Sequence, residues 1–420
     1  MVIWVVNHHA DPPEGMATRT YDLCRRWVES GHQATIFVSN VNHYDFRSRR
    51  PIRGLRLWLE EDLDGVQMVW IRTTPYRGNG LGRVINQLSF AVLAVAAGVR
   101  RRPRPEIVIG VSVHPLAALS GWVLARVRRA RFFFEVTDLW PQTLIEFGRL
   151  RADGWPARGL RALERFLYQR AERIVMLWRH TDDYVESLGV SSAKIVWVPH
   201  GVELERYQGL MEYDGAPKRP FRVVYMGGFV ESMAIGTLLE AAARLQENGR
   251  HDIVFLLFGS GTHRQHYIRM ASDLGLTNVQ FPDAVPKRDI AQAMNQADAF
   301  VYGLRDLPLY RFGMSLNKLS DYLAGGRPIV FYGRSSYDPV RDAGVGFSVP
   351  PDDPQGLADA FERLVALPPE ERIAMGRRGR QYLLEQHDIP GLADRLLGVF
   401  TARPSSERPT ASLDREGRSH

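Results

Sequence analysis

The sequence is almost without cysteine. Its 420 residues contain one, Cys24, which excludes a disulfide framework and a cysteine metal cluster and suits a reducing compartment. The first residues, MVIWVVNHH, are apolar and lack the basic start of a signal peptide, so we expect a cytoplasmic protein. The longest apolar run, residues 88–99, is too short to cross a bilayer.

The overall composition is that of a globular protein with an excess of positive charge. Hydrophobic residues make up 45% and charged residues 24% of the chain. A chain of this length exceeds what one core supports, so two domains are expected. The formal net charge of +7 suits nucleic acid, an acidic membrane surface or a phosphate-bearing substrate. Because the arginines are scattered and no nucleic-acid motif occurs, we expect no nucleic-acid partner.

Apolar strand-like runs alternate with longer amphipathic stretches along the chain. This βαβα order predicts an α/β fold with parallel, doubly wound sheets covered on both faces. In the first half, strands are predicted at residues 2–6, 34–39, 66–71, 107–111, 131–136, 173–177 and 194–198, and helices at 16–30, 83–101, 115–127, 156–171 and 181–188. In the second half, strands are predicted at 222–226, 253–258, 279–281 and 299–302, and helices at 234–246, 264–274, 290–296, 355–366, 369–386 and 389–401.

A polar stretch rich in proline and glycine, LMEYDGAPKRP, separates the two halves and reads as a linker. We therefore predict a first domain at residues 1–205, a linker at 206–220 and a second domain at 221–385. A helix at 386–402 is expected to cross back to the first domain. The polar residues 403–420 are expected to be a disordered tail.

Ligands of such folds bind at the carboxyl ends of parallel strands and between domains, so residues that follow strands are the candidates. Gly15 precedes the first helix, where a flexible backbone and helix amides suit a phosphate, although an ordinary helix start explains it equally well. Gly227 and Gly228 follow a strand and either allow close approach of a ligand or make a tight turn. A full G-x-G-x-x-G is missing, so a dinucleotide fold is not supported.

Two further strand ends carry polar side chains. His114 stands directly before Pro115, which is favoured at the first position of a helix, so the histidine either faces a ligand or caps the helix. Glu135, Asp138 and Trp140 crowd the end of the next strand. There they either contact sugar hydroxyls and a sugar ring, or cap and pack the following helix.

The run LYRFGMSLNKLSDYLAGGRPIVFY, residues 309–332, combines a basic loop, a helix start and a carboxylate. A helix that begins near Ser315 would direct its first amides at an anion. Arg311 and Lys318 add positive charge, and Asp321 suits a ribose diol. A phosphate beside a ribose indicates a nucleotide.

Four motifs in order, EGMATR, SVHP, FEVTDLWP and RFGMSLNKLSDYLAGGRP, resemble those of the retaining GT-B glycosyltransferases of family 4. The resemblance is strongest to the bacterial subgroup that makes O-antigen, capsule and exopolysaccharide, and it extends over residues 1–400. It implies an α/β GT-B architecture in which two Rossmann-like, doubly wound domains face a cleft. The first domain would hold the acceptor and the second the nucleotide sugar.

The resemblance also assigns roles to the candidate residues. His114, Arg311 and Lys318 would act in catalysis, the two cations by stabilising the leaving diphosphate. The donor would be bound by Gly15, Gly227, Gly228, Phe312, Gly313, Met314, Ser315, Asn317 and Asp321. The acceptor side would hold Met16, Arg19, Glu135, Asp138 and Trp140.

The chain departs from the family pattern at several positions. The first glutamate of the family's E-x7-E pattern falls on Gly313. Gly228 and Met233 occupy the places where many relatives have an arginine and a lysine, so Arg305 is a further candidate for the diphosphate. The usual V-P-N-G reads VPHG here, with His200.

The function implied is a retaining transfer of a hexosyl or N-acetylhexosaminyl group from a nucleotide sugar, with uridine the expected base. The acceptor would be a polyprenyl-diphosphate-linked glycan of bacterial surface polysaccharide synthesis. No metal or other cofactor is expected, and Asp62-Leu63-Asp64 reads as a solvated turn. Residues 83–104 read either as a core helix or as a peripheral contact with an anionic membrane at the inner face of the plasma membrane. The alternatives are an epimerase-like GT-B enzyme acting on a sugar nucleotide and a non-catalytic subunit that binds one.

Overall fold

Two parallel sheets, each covered by helices, organise the chain. The structure is a computed structural model that describes residues 1–15, 17–43, 45–78, 80–216, 220–286 and 289–402. The predicted acceptor residue Met16, part of the predicted linker and the predicted tail at 403–420 lie outside the described residues.

The first sheet has the strand order β3-β4-β2-β1-β5-β6-β7-β8. Its strands are β1 (Val2–Val6), β2 (Gln33–Ser39), β3 (Trp58–Leu63), β4 (Val66–Ile71), β5 (Ile107–Val111), β6 (Arg131–Val136), β7 (Arg173–Met176) and β8 (Ile195–Trp197). Its helices are α1 (Arg19–Glu29), α2 (Leu81–Arg100), α3 (Pro115–Arg128), α4 (Gln142–Glu146), α5 (Trp155–Arg170) and α6 (Asp182–Ser187). The order reverses at β1, so a crevice opens between the ends of β1 and β5.

The second sheet has the strand order β11-β10-β9-β12-β13-β14. Its strands are β9 (Phe221–Met226), β10 (Ile253–Phe258), β11 (Val279–Gln280), β12 (Ala299–Gly303), β13 (Ile329–Tyr332) and β14 (Gly346–Val349). The helices are α7 (Ile235–Glu247), α8 (Arg264–Asp273), α9 (Ile290–Met294), α10 (Asn317–Gly325), α11 (Pro339–Asp342), α12 (Pro354–Ala366), α13 (Pro369–Gln386) and α14 (Ile389–Thr401). The prediction of an α/β fold with two doubly wound sheets is confirmed.

The differences from the predicted elements lie mainly at the sheet edges. Strand β3, expected to be a charged loop, pairs antiparallel with β4, and its residues WLEEDL are only partly buried. The two aspartates close the hairpin: Asp62 accepts a hydrogen bond from the Gly65 N–H at 2.9 Å, and Asp64 has a left-handed φ of 51°. The turn predicted at this Asp-x-Asp is observed only from Asp64, because Asp62 and Leu63 belong to β3.

Helix α2 agrees with the helix predicted at residues 83–101 and is longer than the apolar run 88–99 within it. It spans 20 residues and is long and apolar enough to cross a membrane by length and composition, whereas the run 88–99 was judged too short. Phe90, Ala94 and Ala97 are buried, and a side chain at Gly98 would overlap Leu124 of α3. One side of α2 therefore belongs to the core of the first domain.

The last helix, α14, packs on the first sheet rather than the second. The Trp27 indole N–H of α1 donates to the Ala393 carbonyl at 3.2 Å. The Phe400 ring meets the rings of Trp27 and Phe133 edge-on, with centroids 5.5 and 4.9 Å apart. The chain thus passes between the two sheets twice.

The two passages run side by side. The Val202 N–H donates to the His387 carbonyl at 3.0 Å, and the Ile389 N–H donates to the Val202 carbonyl at 3.2 Å. These bonds join the segment that leaves the first sheet to the segment that returns to it.

Replacing Phe400 by alanine should reveal how firmly α14 holds the first domain. Phe400 is 1% exposed, so Phe400→Ala should lower the free energy of unfolding by about 3–5 kcal/mol. Denaturant unfolding followed by tryptophan fluorescence measures it. Val127→Ala, at an exposed position, is the control and should change stability by less than about 0.5 kcal/mol. An equal, small loss in both variants would contradict the packing described.

Candidate active site

The segment before α1 forms one wall of the cleft, and its shape requires Gly15. The Asp11 side chain folds against this position, so that a Cβ on residue 15 would overlap it. Oδ2 of Asp11 accepts a hydrogen bond from the Ala17 N–H at 2.7 Å, while the other oxygen pairs with Arg49. The predicted glycine is thus needed for a tight loop that presents the start of α1 to the cleft.

A cavity of about 110 Å³ lies between the two domains. Its walls are formed by the start of α1, the segment after β8, the α9 region and the start of α10. Its lining residues are Ala17, Thr18, Arg19, His200, Gly201, Val202, Val285, Ile290, Asn317 and Asp321. Two of the predicted donor-binding residues, on α10, therefore face the first domain across this space.

Helix α10 begins at Asn317, two residues later than predicted. The Ser315 hydroxyl lies before the helix, is buried and has no hydrogen-bond partner among the described residues. Asp321 lies one turn into α10 and accepts a hydrogen bond from the Tyr207 hydroxyl. Because Tyr207 belongs to the passage between the domains, its bond fixes the orientation of the predicted ribose-binding carboxylate.

Lys318 stands three residues before Asp321 on α10, so the two side chains share one side of the helix. Its ammonium donates to the Tyr225 hydroxyl at 2.8 Å and stands 3.0 Å from Sδ of Met233. A Cβ on Gly227 would come within 2.7 Å of this ammonium, so the glycine gives the lysine its space. The Gly228 carbonyl accepts a hydrogen bond from Tyr225 at 2.7 Å.

A positive charge on α10 lies beside position 233. Many relatives were expected to have a lysine where this chain has Met233, and Lys318 reaches that same place. Burial lowers the pKa of Lys318 to about 7, against the opposing effect of Asp321. The ammonium thus sits in a poorly solvated position that a bound anion would stabilise.

Arg311 does not join this group. Its guanidinium donates to Glu146 of α4 at 3.1 Å and to the Pro308 carbonyl at 2.6 Å, which links the two domains at the rim. Arg305 pairs with Glu231 on the surface. Arg311 is bonded to Glu146 of the first domain, and its role at the diphosphate stays a prediction.

Arg311 instead lines a second, larger cavity of about 430 Å³. Gln142, Arg161, Glu164 and Tyr184 line the same cavity. The Tyr184 hydroxyl donates to both Glu164 oxygens at 2.8 and 2.9 Å, and burial raises the pKa of Glu164 to about 8.

The loop before α10 packs on the first domain. The Phe312 carbonyl accepts a hydrogen bond from the His180 N–H at 3.1 Å, and its ring lies 5.1 Å from that of Tyr184. Gly313 has a φ of 101°, which favours glycine, and the Met314 side chain is buried. The side chains of this predicted donor loop are thus used for packing between the domains.

His114 is part of a buried histidine pair. Its Nδ1 accepts a hydrogen bond from the Ala117 N–H at 3.2 Å and so caps α3. The proton therefore lies on Nε2, which donates to Nδ1 of His8 at 2.7 Å. Burial, with the charge of Arg83, lowers the pKa of His114 to about 3. His114 thus caps α3, as the alternative interpretation described, and its catalytic role stays a prediction.

Sequence reasoning missed the histidines around His114. His9 stacks on His43 with ring centroids 4.4 Å apart, and its buried Nε2 has no hydrogen-bond partner among the described residues. Burial holds the pKa of His8 and His9 well below the usual value. The pair His8-His9 directly after β1 was the feature of the sequence that could have predicted this cluster. We call His8, His9, His43 and His114 the histidine cluster.

Arg19 and Glu135 are bonded to each other rather than directed at an acceptor. Their ion pair measures 2.9 Å and is buried. Arg19 also donates to the Val198 and Pro199 carbonyls at 2.9 and 3.2 Å. Both were expected on the acceptor side, but their polar atoms join α1 to β6 and to the segment after β8.

Asp138 and Trp140 lie in the loop after β6, as predicted for the acceptor side. Burial raises the pKa of Asp138 to about 6, although the Thr137 hydroxyl opposes this. The Trp140 indole N–H is buried without a partner among the described residues. The same is true of Nδ1 of His200 in the 110 Å³ cavity, so the departure from V-P-N-G places a ring at the candidate site.

The side chains of the histidine cluster are not arranged to hold a metal ion. Among the described residues, no three His, Cys, Asp or Glu side chains stand close enough together to hold an ion.

Two family models match the chain on the two sides of this cleft. One, described as a glycosyl transferase 4-like domain, matches residues 14–201, and the other, described as glycosyl transferases group 1, matches residues 220–366. Together they span more than three quarters of the 420 residues. The chain belongs to the GT-B glycosyltransferases.

Curated relatives of this glycosyltransferase act in envelope polysaccharide synthesis according to their names. The chain is 23% identical over 280 residues to the putative colanic acid biosynthesis glycosyl transferase WcaI of Escherichia coli, covering 64% of this chain and 67% of the relative. It is 30% identical over 186 residues to the lipopolysaccharide core biosynthesis glycosyltransferase LpsE of Rhizobium meliloti, covering 43% of this chain and 50% of the relative. The alignment thus spans only half to two thirds of these relatives.

Solved structures share the GT-B fold over nearly the full length. Sucrose-phosphate synthase from Thermosynechococcus elongatus superposes with a TM-score of 0.70 at 16% identity, covering 95% of this chain and 98% of that one. Anabaena HepE in complex with UDP and glucose superposes with a TM-score of 0.65 at 12% identity, covering 96% and 99%. At these identities the likeness concerns the fold, and the expected GT-B architecture is confirmed.

Removing Arg19 should leave Glu135 buried without its cation. Arg19→Leu should therefore lower the free energy of unfolding by about 3–5 kcal/mol. Arg151→Leu is the control, because the Arg151–Asp153 pair is 85% and 69% exposed, and should cost less than about 1 kcal/mol. Denaturant unfolding of both variants measures the difference. A loss no greater for Arg19→Leu than for Arg151→Leu would contradict the role given to the buried pair.

Proposed function

We propose that the chain transfers a hexosyl or N-acetylhexosaminyl group, with retention of configuration, from a uridine-diphosphate sugar to a lipid-linked glycan. The observation that carries the proposal is the placement of Lys318 and Asp321 on one turn of α10, beside a cavity bounded by both domains. The acceptor would be a polyprenyl-diphosphate-linked glycan of bacterial surface polysaccharide synthesis, of the O-antigen, capsule or exopolysaccharide type. The names of WcaI and LpsE support this class of pathway.

The donor would bind with its nucleoside against α10. Asp321 would accept hydrogen bonds from the ribose, and the Lys318 ammonium would pair with the diphosphate near the Gly227 turn. The first amides of α10 add the positive end of the helix dipole. The complex of HepE with UDP and glucose, which has the same fold, supports uridine as the base.

The reaction would need little chemistry from side chains. The bond between the anomeric carbon and the diphosphate oxygen breaks, while the acceptor hydroxyl forms its new bond from the same face. The hydroxyl proton passes to the departing diphosphate. Lys318 and the α10 amides stabilise the negative charge that develops on the leaving group. We propose no protein nucleophile and no metal ion.

The place of action would be the cytoplasmic face of the plasma membrane, because a polyprenyl-linked acceptor is held there. The enzyme would reach it as a peripheral protein. A non-catalytic binding subunit is the less favoured alternative, since Lys318 restores the positive charge missing at position 233.

Stabilisation by UDP tests the donor site. UDP bound only to the folded protein should raise its melting temperature, and Asp321→Ala should weaken binding by about tenfold or more, because a hydrogen bond to a charged group is lost. Asp273→Ala, an exposed carboxylate of α8, is the control and should behave like the wild type. GDP, ADP and TDP are compared in parallel.

Transfer from UDP-sugars to a lipid-linked acceptor then separates the functions. Product with the anomeric configuration of the donor supports the proposal. UDP binding with a sugar epimerised at C2 would indicate the epimerase-like alternative, and UDP binding without turnover would indicate a binding subunit. No stabilisation by any nucleotide would overturn the donor site.

The pH dependence of UDP affinity tests Lys318. In the empty site its pKa is about 7, and the bound diphosphate should raise it, so binding takes up a proton. Affinity should therefore be highest below pH 7 and fall as pH rises from 7 to 9, by up to about tenfold per unit. The terminal phosphate titrates lower, near pH 6, and does not interfere in this window.

Isothermal titration at several pH values measures the effect. Lys318→Met should bind UDP more weakly and with little change between pH 7 and 9. Lys194→Met, a lysine of the first domain whose ammonium is held by the Gln169 and Ala171 carbonyls, should keep the wild-type dependence. An unchanged slope in Lys318→Met would contradict the assignment.

A further inference from the structure

Helix α2 presents an apolar face to solvent. Its exposed large side chains are between 42% and 79% exposed and follow one another at intervals of one, three, four or seven residues, so they lie on one side of the helix. We call them the α2 face: Leu81, Val84, Ile85, Leu88, Val92 and Val99. Scattered exposed apolar residues are ordinary, but a continuous stripe of this length marks an interaction surface.

The opposite side of α2 holds the helix in the first domain. Phe90, Ala94 and Ala97 are buried, and the amide of Asn86, also buried, donates to the Thr74 carbonyl. Crossing a bilayer would require all of these contacts to break. The helix therefore has the apolar length of a membrane span but is fixed lengthwise along the surface of the protein.

Arginines surround the carboxyl end of the α2 face. We call Arg100, Arg102, Arg104, Arg126 and Arg129, all exposed, the arginine end. Nearby Arg128 donates to the Val99 and Arg101 carbonyls at 3.2 and 2.8 Å, which satisfies the end of the helix. Its pKa is lowered by burial and by the charges of Arg102 and Arg104. Positive charge here is crowded and favours anions.

We propose that the α2 face and the arginine end together dock the protein on an anionic lipid bilayer. The apolar side chains would enter the boundary between headgroups and acyl chains, while the arginines contact anionic headgroups. A second copy of the chain fits less well. Arg77 is exposed just before the amino end of α2, so pairing two α2 faces in either direction brings arginines together.

The same surface leads to the acceptor side of the cleft. The His8 ring stacks on Phe90 of α2 with centroids 4.2 Å apart, and the charge of Arg83, in the first turn of α2, lowers the pKa of His43 and His114. The histidine cluster therefore lies against the buried side of the amino-terminal half of α2. Docking along α2 would bring the acceptor side of the cleft near the bilayer surface. This inference rests on the proposed function in one respect: the orientation would bring the cleft to its acceptor only if that acceptor is lipid-linked.

Vesicle co-sedimentation tests the docking surface. The full chain should bind vesicles of equal parts phosphatidylcholine and phosphatidylglycerol, and bind pure phosphatidylcholine much more weakly. Leu88→Gln with Val92→Gln should reduce binding by about tenfold or more, because two apolar side chains leave the interface. Arg102→Gln with Arg104→Gln should reduce it by about fivefold per arginine and weaken its dependence on salt.

Matched variants on the second domain serve as controls. Leu384→Gln changes a leucine that is 53% exposed, the same fraction as Leu88, and Arg377→Gln changes an arginine that is 75% exposed. Both should bind vesicles like the wild type. Among the described residues, Arg102 and Arg104 form no ion pair, and Arg377 pairs only with the exposed Glu212. Melting temperatures check that each variant is folded.

Three outcomes would overturn the proposal. Equal loss of binding in the control variants would place the contact elsewhere, and absence of binding to the anionic vesicles would remove it. A concentration-dependent dimer that Leu88→Gln dissociates would assign the α2 face to a second copy. Vesicle binding is measured without any sugar donor. A protein that does not bind vesicles can therefore still bind UDP and transfer sugar, and a protein that does not bind UDP can still dock on vesicles.

Discussion

The shape of the cleft depends on one buried cation, Arg19. Its guanidinium binds Glu135 at the end of β6 and the carbonyls of Val198 and Pro199, which follow β8. A single side chain in the first turn of α1 thus holds two other parts of the first domain at fixed distances. Ala17 and Thr18, which directly precede Arg19 and line the cavity, are held in place with it. A hydrophobic side chain of similar volume could fill the space but could not satisfy the two carbonyls.

A positive charge lies beside position 233, although residue 233 itself is not basic. Met233 stands where a lysine was expected from relatives, and the Lys318 ammonium lies beside its sulfur. The space exists because residue 227 has no side chain. The spatial neighbourhood of Met233 and Lys318 becomes visible only in the structure, because the two residues are 85 positions apart in sequence.

More of the fold than of the site could be predicted, because strands and helices follow local sequence patterns whereas the site contacts join residues far apart in sequence. Central strands such as β4, β5 and β6 are short continuous apolar runs, and their predicted bounds agree with the structure. The edge strands β3 and β14 were missed, because one face of each meets solvent. Asp321 and Lys318 were predicted to lie one turn apart from local spacing. The bonds of His114 to His8 and of Arg19 to Glu135 could not be predicted, because these partners are 106 and 116 residues away in sequence.

The paired passages between the sheets limit how the two domains can move. Val202 is hydrogen-bonded to both His387 and Ile389, so both covalent connections cross the cleft at one place. Neither domain can slide along the other or separate from it without breaking these bonds. Rotation about a hinge axis through the paired segments leaves them intact, because it requires only small dihedral changes there. Such a rotation would have to break other contacts between the domains, such as those of Arg311 with Glu146 and of Phe312 with His180.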